Sequence, residues 1–562
     1  MNKTTTSTPL SVDVAILGAG ISGTILGAIF ARHGFKVLIL DAETHPRFAV
    51  GESTVGRTST MLGIIADRYD VPEIRNIAST RGIQEKVTLA CGVKRAVSFV
   101  YHRPDGRQEP EESNQFVIPP LLHGPENHLF RQDIDAYLMN VAVGYGAMVR
   151  QGTRVADVEL SADRVTLKDT SGRTVEARYL IDCSGYRSPL ATKLGLREEP
   201  TRLKHVSRCL FTHMVGVKPY DDCVHPKNVH GMPIPWFQST LHHVFDGGWI
   251  WVIPFNNHKR STNQLCSVGL TLDPRRFPAN GAAPEEEFRK IISSFPSVID
   301  QFRDATSIRP WVSTGRLQYS SSRAAGERYC LVGHAYGFVD ALFSRGLAVT
   351  MDVINTLAGR VMGALRADDF SMSRFDYVER FSRNLLDSND QLVNCAFTSF
   401  SDYRLLNAWL RIWAIGEAGL DQLRILKASL RFKETRDPSV LEGLDEGPYP
   451  GLLCPNHEGY KRLWDDSVAD VEAVSAGRLA SGEAAERIFQ RIREGQFVAP
   501  FIGLGDPSRR VVDGSVKTGL GWILWGKTMA PELLRNNFFD LPPKALAKLT
   551  ASNLKELWVH NL

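Results

Sequence analysis

The sequence predicts an α/β fold, because strand-like and helix-like segments alternate from its beginning. Two apolar runs, Val12–Leu17 and Lys36–Leu40, flank a helix-like segment. Three glycines at fixed spacing, Gly18-x-Gly20-x-x-Gly23, join the first run to the helix. From about residue 370 the pattern of apolar residues becomes helical throughout. We therefore expect an α/β core followed by a mainly helical region.

The glycine motif has the chemistry of a dinucleotide site. The amides of a glycine-rich loop and the N-terminus of the following helix can hold a pyrophosphate, and a carboxylate at the end of the next strand can bind ribose hydroxyls. Asp41 stands at that strand end. The predicted cofactor-binding residues of this unit are Gly18, Ala19, Gly20, Ser22, Gly23 and Asp41. FAD and NAD both fit this motif, and a glycine-rich turn without a ligand is the less specific alternative.

The pattern divides the 562 residues into three regions. Residues 1–10 are rich in Thr and Ser, and we expect them to form a disordered leader. Residues 11–365 form the predicted core, in which the segments at about 85–125 and 205–300 are predicted to form a second sheet. Residues 366–562 form the predicted, mainly helical C-terminal region.

Composition and charge argue against several classes of function. The net charge is +4, from 66 basic and 62 acidic side chains, and the sequence has no Lys/Arg run. This balance argues against nucleic acid or an anionic membrane as a partner and favours a small or carrier-bound substrate. The eight cysteines include no CxxC pair, which argues against a zinc or other metal site and against a disulfide framework. Such cysteines are typical of the reducing cytoplasm, where we expect the protein to act.

One charge-free segment, Val14–Ala31, is long enough to resemble a membrane span. Its regularly spaced glycines, and Asp13 before it, instead predict a strand, a loop and a helix. No other stretch of the sequence approaches spanning length, so we expect no membrane-spanning segment. The oligomeric state stays open, with a homodimer as one option.

A lysine in the second predicted sheet is a candidate functional residue. Val93–Tyr101 alternates as a strand, so Lys94, Ala96 and Ser98 are expected on one face. The small neighbours predict free volume above Lys94, which an aromatic substrate would need. An exposed strand lysine without a role is the alternative for any lysine. The other candidate, Lys86, lies in a charged segment typical of a solvated surface.

Two tryptophans are predicted on one face of another strand. In Trp249-x-Trp251-x-Ile253-Pro254 the indoles alternate with smaller apolar residues, and the proline ends the strand. Core packing is the general explanation for tryptophans in strands. Two adjacent indoles can also form a wall that separates two parts of a site, and both interpretations can hold together.

Four further segments resemble a known family. Their order is that of p-hydroxybenzoate-hydroxylase-like flavoproteins. They are Gly51-Glu52-Ser53-Thr54-Val55, Arg131 in His-Leu-Phe-Arg-Gln-Asp-Ile-Asp, Asp182-Cys183-Ser184-Gly185, and Gly333-His334-Ala335-Tyr336-Gly337-Phe338-Val339-Asp340. Within that superfamily, the Gly-Glu-Ser-Thr loop and the Trp-x-Trp-x-Ile-Pro motif are characteristic of flavin-dependent halogenases. The segments 239–258 and 342–347 resemble bacterial phenol halogenases, the phloroglucinol-type enzymes in particular.

The resemblance implies a p-hydroxybenzoate-hydroxylase-like FAD-binding fold with a β-sheet substrate region. It implies further FAD contacts from Gly51, Ser53, Arg131 and Asp340. Reduced FAD and O2 would oxidise chloride or bromide to hypohalous acid. The halide would bind at the backbone amides that correspond to Arg345 and Gly346, where a helix begins.

The same resemblance implies roles for four side chains. Lys94 would receive hypohalous acid and activate it by hydrogen bonding, as an ammonium, or as a chloramine, from the free amine. Trp249 and Trp251 would keep the organic substrate away from the flavin. Glu52 would orient the flavin ring or relay a proton.

Three departures from related families refine this expectation. Aromatic hydroxylases that reduce their own flavin usually carry Asp-Gly at Ser184-Gly185 and Gly-Asp at Gly333-His334, and this chain has no second GxGxxG. A separate flavin reductase is therefore expected to supply reduced FAD. Tryptophan halogenases carry a glutamate where this chain has Phe343, which favours a small phenolic substrate over an indole. A two-component aromatic hydroxylase and a non-catalytic flavin-binding partner remain as alternatives, and Lys94 together with the tryptophan motif disfavours both.

Overall fold

The computed structural model describes residues 9–104, 106–444 and 447–559. In these residues the strands are β1 (Leu10–Leu17), β2 (Val37–Leu40), β3 (Gly92–Lys94), β4 (Ala96–His102), β5 (Ser113–Val117), β6 (Glu126–His128), β7 (Met148–Arg150), β8 (Val155–Leu160), β9 (Val165–Asp169), β10 (Thr174–Asp182), β11 (Arg208–Val215), β12 (Ser239–Phe245), β13 (Gly248–Pro254), β14 (Cys266–Leu272), β15 (Thr306–Ser307), β16 (Val312–Ser313), β17 (Ala325–Gly326), β18 (Tyr329–Leu331) and β19 (Val511–Val512).

The helices are α1 (Ile21–Arg32), α2 (Gly56–Arg68), α3 (Thr80–Lys86), α4 (Pro120–His123), α5 (Arg131–Gly144), α6 (Pro189–Lys193), α7 (Pro284–Ile292), α8 (Pro296–Phe302), α9 (Gly346–Ala367), α10 (Asp376–Ser399), α11 (Tyr403–Trp413), α12 (Gln422–Thr435), α13 (Ser439–Glu442), α14 (Glu458–Ser475), α15 (Ser481–Gly495), α16 (Val516–Thr528), α17 (Glu532–Leu534) and α18 (Pro543–Val559). Two π-helical segments, Ala414–Asp421 and Arg535–Phe539, interrupt the helical region.

The first sheet carries the predicted βαβ unit. Its strand order is β17-β18-β10-β1-β2-β7, with parallel pairing between β18, β10, β1, β2 and β7, and a β8–β9 hairpin attached to β10. Gly18 follows β1 with φ +94°, and a Cβ there would lie 2.6 Å from the carbonyl oxygen of Cys183. A Cβ on Gly23 would lie 2.0 Å from the carbonyl oxygen of Gly18. Both positions therefore require glycine, as the motif predicts.

The second sheet has the order β15-β11-β14-β13-β12-β4-β5-β19, with β16 paired to β11. It is antiparallel except for the parallel pairs β12–β4 and β5–β19. Alternate residues of β13 divide between two cores: Trp249 and Trp251 join the core shared with the C-terminal helices, whereas Ile250 and Val252 join the core that packs on α7 and α8. The predicted α/β fold with a second sheet is confirmed.

A separate two-stranded ladder, β3–β6, corrects the prediction of a continuous strand over Val93–Tyr101. The strand breaks at Arg95, whose N–H donates to the carbonyl of Gln238 and whose carbonyl accepts from Ile118. These bonds turn the chain from the ladder into the second sheet. Lys94 therefore does not share a continuous strand face with Ala96 and Ser98, and in the ladder it is paired with Glu126.

The helical region packs onto both sheets, and β19 is a short strand within it that extends the second sheet. Most of the predicted leader lies outside the described residues. Its last residue, Leu10, is the first residue of β1 and pairs with Val175. Within the described ranges, no helix is both long and apolar enough to cross a membrane. The same ranges contain no cluster of side chains suited to holding a metal ion.

Candidate active site

The glycine loop and Asp41 form one cluster at the end of β1. The Asp41 carboxylate accepts hydrogen bonds from the N–H of Ala19 (2.7 Å) and from Arg47 (3.2 Å). Helix α1 begins at Ile21 without a side-chain cap, so its first amides and its positive dipole end stay available. This arrangement fits a dinucleotide such as FAD, because the free amides suit a pyrophosphate and the Asp41 carboxylate suits ribose hydroxyls.

Arg131 and Gly51 meet beside this cluster. Arg131 forms two hydrogen bonds with Asp135 (2.8 and 3.0 Å) and donates to the carbonyls of Val50 (2.6 Å) and Gly51 (3.2 Å). Asp135 lies 4.0 Å from the position that a Cβ on Gly20 would take. The Gly51 loop and the glycine loop thus both lie beside the start of α5.

Asp340 has different neighbours from the other predicted FAD residues. Its carboxylate accepts from the Ser207 hydroxyl (3.1 Å) and from the N–H of Leu342 (3.0 Å). These bonds fix the turn that leads into the segment before α9. These contacts thus connect Asp340 to the predicted halide loop and to the residue just before β11, and not to Asp41.

Glu52 is buried and is hydrogen-bonded to a histidine from the second sheet. Arg309 donates to Nδ1 of His213 (3.2 Å), so the ring proton is on Nε2, which donates to Glu52 (2.7 Å). The sequence did not indicate His213 or Arg309 as partners of Glu52. The arrangement holds the carboxylate in one orientation next to the Ser53–Thr54 segment.

Lys94 is completely buried, with 0% of its surface exposed. Its Nζ donates to the Ser53 hydroxyl (2.9 Å) and to the carbonyl of Thr54 (2.7 Å). Burial lowers the pKa of Lys94 to about 7, while the carboxylates of Glu126 and Glu417 act in the opposite direction. Lys94 is therefore not an exposed strand lysine.

Glu126 lies opposite Lys94 in the β3–β6 ladder. Its carboxylate accepts from the hydroxyls of Thr54 and Ser59, both at 2.7 Å. Burial raises the pKa of Glu126 above its ordinary value, whereas these two hydrogen bonds and the charge of Lys94 oppose the increase. Lys94 and Glu126 are thus two buried titratable groups, and the charge of each acts on the pKa of the other.

The segment before α9 reaches Lys94 through a single hydroxyl. Ser344 has a left-handed backbone (φ +54°), and its hydroxyl donates to Ser53 (3.1 Å), which also accepts from Lys94. Helix α9 then begins at Gly346 without a side-chain cap, as a halide site at the amides of Arg345 and Gly346 would need. The predicted halide loop and the predicted lysine therefore lie close together.

The Arg345 side chain points to the C-terminal region. Its Nε lies 2.8 Å from a carboxylate oxygen of Glu417, which also accepts from the indole N–H of Trp413 (3.2 Å). The rings of Trp413 and Phe343 lie 5.5 Å apart. This contact could not be predicted from the sequence, because the π-helical segment that carries Glu417 is remote from Arg345 along the chain.

Trp249 and Trp251 lie side by side, with ring centroids 5.6 Å apart. Trp251 packs over Gly269 of β14, where a Cβ would lie 2.0 Å from the indole. Their other ring neighbours are His242, 5.3 Å from Trp249, and Phe211, 6.2 Å from Trp251. The packed pair predicted from the sequence is present. The hydrogen-bonded link from Ser344 of the halide loop to Lys94 runs through Ser53 and does not include the indoles.

A small cavity of about 20 Å³ lies beside Arg345. Arg57 and Arg424 line it together with Tyr377 and Phe381 of α10. Neither Lys94 nor Phe343 lines this cavity.

The geometry combines a dinucleotide cradle, an uncapped helix N-terminus suited to an anion, and a buried lysine with a lowered pKa. Two sequence relatives match most of this chain. The chain is 48% identical over 543 residues to monodechloroaminopyrrolnitrin halogenase PrnC of Pseudomonas fluorescens, which covers 95% of both proteins. It is 50% identical over 496 residues to tetracycline 7-halogenase of Kitasatospora aureofaciens, covering 88% of this chain and 89% of that enzyme.

Two further comparisons agree with these relatives. The tryptophan halogenase family matches residues 125–393. The crystal structure of halogenase PltM in complex with phloroglucinol and FAD superimposes with a TM-score of 0.86 at 36% identity, covering 89% of this chain and 99% of PltM. The predicted family, the predicted FAD cofactor and the prediction of an enzyme are confirmed: the chain belongs to the flavin-dependent halogenases.

Proposed function

We propose that this enzyme chlorinates or brominates an electron-rich phenolic substrate and that Lys94 receives the hypohalous acid. The observation that carries the proposal is the shared hydroxyl of Ser53, which accepts from Lys94 (2.9 Å) and from Ser344 (3.1 Å). An oxidised halide formed at the Arg345 and Gly346 amides would therefore have only a short distance to travel to a buried amine.

The residues for the cofactor divide into those that hold phosphate and those that hold ribose. The Gly18–Gly23 loop and the first amides of α1 would bind the pyrophosphate, and Asp41 would bind the ribose hydroxyls. Reduced FAD, when bound, supplies with O2 the oxidising power that converts halide to hypohalous acid. Glu52, oriented by His213, would accept or return a proton on this side of the site.

Lys94 can act in either of its protonation states, because its pKa of about 7 populates both near neutral pH. As an ammonium it would donate a hydrogen bond to hypohalous acid and make the halogen more electrophilic. As an amine it would attack the halogen: the N–halogen bond forms, the halogen–oxygen bond breaks, and the hydroxide leaves as water with a proton from nitrogen. In either case the ring carbon of the substrate gains the halogen and loses a proton.

The substrate class rests on Phe343 and on the PltM relative. The Phe343 ring packs on Trp413, and Trp413 in turn packs on Phe116, each pair with centroids 5.5 Å apart. A phenol carries its own ionisable oxygen to delocalise positive charge, so an apolar neighbour costs it little. The PltM structure in complex with phloroglucinol supports this class. A substrate resembling monodechloroaminopyrrolnitrin is the second candidate, because the relative named for it is 48% identical.

The source of reduced FAD is proposed to be a separate reductase. Ser184 and His334 stand where self-reducing aromatic hydroxylases usually carry acidic residues. In the structure the Ser184 hydroxyl is bonded to Asp182 (2.5 Å), so this turn is stabilised internally.

Product analysis by mass spectrometry tests the proposal. The purified enzyme would be incubated with FAD, an unrelated flavin reductase, NADH, chloride or bromide, and a panel of phenols. The proposal expects the isotope pattern of chlorine or bromine in the product. A gain of one oxygen would indicate hydroxylation instead, and halogenation of non-phenolic substrates alone would overturn the phenol assignment.

A further inference from the structure

A hydrogen-bonded row of four buried side chains runs from Lys94 through Ser53 and Thr240 to His128. Lys94 donates to the Ser53 hydroxyl (2.9 Å), which lies 2.8 Å from the Thr240 hydroxyl, and this lies 3.0 Å from Nε2 of His128. Nδ1 of His128 lies 2.9 Å from the carbonyl oxygen of Pro254. The exposed fractions of the four side chains range from 0% for Lys94 and His128 to 8% for Ser53.

The direction of every hydrogen bond in this row is determined at its far end, where His128 meets the carbonyl of Pro254. The carbonyl of Pro254 can only accept, so Nδ1 of His128 carries a proton. Burial lowers the pKa of His128 to about 3, so the ring is neutral and Nε2 has a lone pair. Thr240 must therefore donate to Nε2, and Ser53 must donate to Thr240.

This direction restricts what Ser53 can do for Lys94. The single hydroxyl proton of Ser53 is used by Thr240, so its oxygen can only accept from Lys94 and Ser344. Lys94 in turn uses two N–H groups, one for Ser53 and one for the carbonyl of Thr54. One tetrahedral direction of the nitrogen remains unused. In the free amine this direction holds the lone pair, because Ser53 has no proton left to donate to the nitrogen.

We propose that Thr240 and His128 are positioning residues that fix the direction of the Ser53 hydroxyl. They thereby keep the remaining tetrahedral direction of the Lys94 nitrogen available to hypohalous acid. The inference rests on the role proposed for Lys94. It goes beyond that role because it assigns a function to Thr240 of the second sheet and His128 of the β3–β6 ladder, which are linked to Lys94 through the Ser53 hydroxyl.

The charged and titratable groups around Lys94 come from several elements. Glu126 on β6 and Glu417 in the π-helical segment raise the pKa of Lys94 against the effect of burial. His128 and His242 are both buried, and the charge of Lys94 contributes to lowering the pKa of each ring. The hydrogen bonds described for the Ser53 hydroxyl are with Lys94, Thr240 and Ser344, and not with these groups.

Three variants isolate the effect of the Thr240 hydroxyl. Thr240→Val removes the hydroxyl with little change in volume, and Thr240→Ser restores it. Thr271→Val is a matched control, because Thr271 is also buried (1% exposed) in the second sheet and its hydroxyl donates to the Cys209 sulfur (3.7 Å). In the Thr240→Val variant the Ser53 hydroxyl is free to turn and donate to the Lys94 lone pair.

The first measurement does not depend on halogenation. Nuclear magnetic resonance of the protein with ¹⁵N-labelled histidine rings reports the protonation of each ring nitrogen, and a His128→Asn variant assigns the His128 signals. We expect a neutral ring protonated on Nδ1, with the Nε2 resonance shifted in Thr240→Val and restored in Thr240→Ser. A wild-type ring protonated on Nε2, or on both nitrogens, would reverse the hydrogen bonds and overturn the inference.

The second measurement is the pH profile of halogenation with the complete enzyme, FAD, a reductase and halide. In Thr240→Val we expect a loss of about tenfold in halogenated product, the factor that one hydrogen bond is worth. We also expect the midpoint of the profile at lower pH, because a Ser53 hydroxyl that donates to the Lys94 lone pair favours the neutral amine. Thr240→Ser should restore both, whereas Thr271→Val should change neither. A lower rate with an unchanged midpoint would indicate a merely structural role and would overturn the inference. Undiminished halogenation in Lys94→Ala would instead contradict the proposed function itself.

Discussion

Arg345 and Glu417 form a buried ion pair, with Nε and Oε2 2.8 Å apart and only 3% of each residue exposed. The pair joins the residue whose amide is proposed to bind halide to the π-helical segment of the C-terminal region. Glu417 also acts on the pKa of Lys94. A single carboxylate from the helical region thus interacts with both the halide loop and the proposed catalytic lysine.

Glu417→Gln is expected to destabilise the fold, because it leaves the guanidinium of Arg345 buried without its counter-charge. Breaking a buried ion pair by removing one partner costs about 3–5 kcal/mol. Urea unfolding measures the change in the free energy of unfolding. Asp465→Asn is the control, since Asp465 pairs with Lys461 on the surface and exposed pairs contribute about 0–1 kcal/mol. Equal effects of the two substitutions would contradict a structural role for the buried pair.

The same substitution has a consequence for catalysis. The Glu417 carboxylate raises the pKa of Lys94, so its neutralisation should lower that pKa further below the ordinary lysine value. Any limb of the halogenation pH profile that follows Lys94 should then move to lower pH. A shift to higher pH would have the wrong sign for this interaction.

Lys94→Ala is expected to abolish halogenated product while FAD binding and release of H2O2 persist, because Lys94 is proposed to act after halide oxidation. A loss of at least about 100-fold in product is expected, the lower end for a residue that takes part in the chemistry. Lys94→Met keeps the buried volume and tests whether a loss comes from misfolding. The control is Lys86→Ala, at an exposed lysine. Product at the level of the Lys86 variant would remove Lys94 from the mechanism.

The βαβ unit could be predicted because its signals are local. Gly18 and Gly23 are required by contacts within a few residues or with the adjacent strand, and Asp41 ends the neighbouring strand. The prediction of β1 began at Val12, whereas the strand begins at Leu10. Such differences at element ends are expected, because terminal residues carry little of the apolar pattern.

The surroundings of Lys94 could not be predicted, because they depend on contacts between distant segments. The alternating pattern of Val93–Tyr101 continues through Arg95, where the chain changes from the ladder to the second sheet. Glu126 and Glu417 reach Lys94 only through tertiary packing. A motif can thus indicate which lysine is functional, but its burial and its counter-charges follow from the fold.

Without a separate reductase, the enzyme is expected to consume NADPH negligibly. The reason is that the sequence contains one glycine motif of the dinucleotide type and no second one. Absorbance at 340 nm measures consumption, and addition of an unrelated flavin reductase should start turnover. Rapid oxidation of NADPH by the purified enzyme alone would contradict the proposed dependence on a separate reductase.

Gly269→Ala should destabilise the protein and displace Trp251, because the added Cβ would lie 2.0 Å from the indole. Overpacking of this kind costs about 1–3 kcal/mol. Thermal unfolding and tryptophan fluorescence measure the two effects. Gly144→Ala is the control, since a Cβ there meets nothing within 4 Å. If the tryptophan pair is also a barrier, halogenated product per O2 consumed should fall in Gly269→Ala, and an unchanged ratio would leave the pair with a packing role alone.

Electron-rich phenols are expected to be halogenated much faster than free tryptophan, with the halogen entering ortho or para to a hydroxyl. Attack on an indole builds positive charge on a ring without an ionisable oxygen, and Phe343 offers no carboxylate to stabilise that charge. A resorcinol- or phloroglucinol-like ring moves the charge onto oxygen, more strongly as the phenolate. Competition between phloroglucinol and tryptophan in one reaction is the direct measurement. Phe343→Leu, which keeps the position apolar, should retain the preference for the phenol. A clear preference of the wild-type enzyme for tryptophan would contradict the phenol assignment and leave its membership of the halogenase family unchanged.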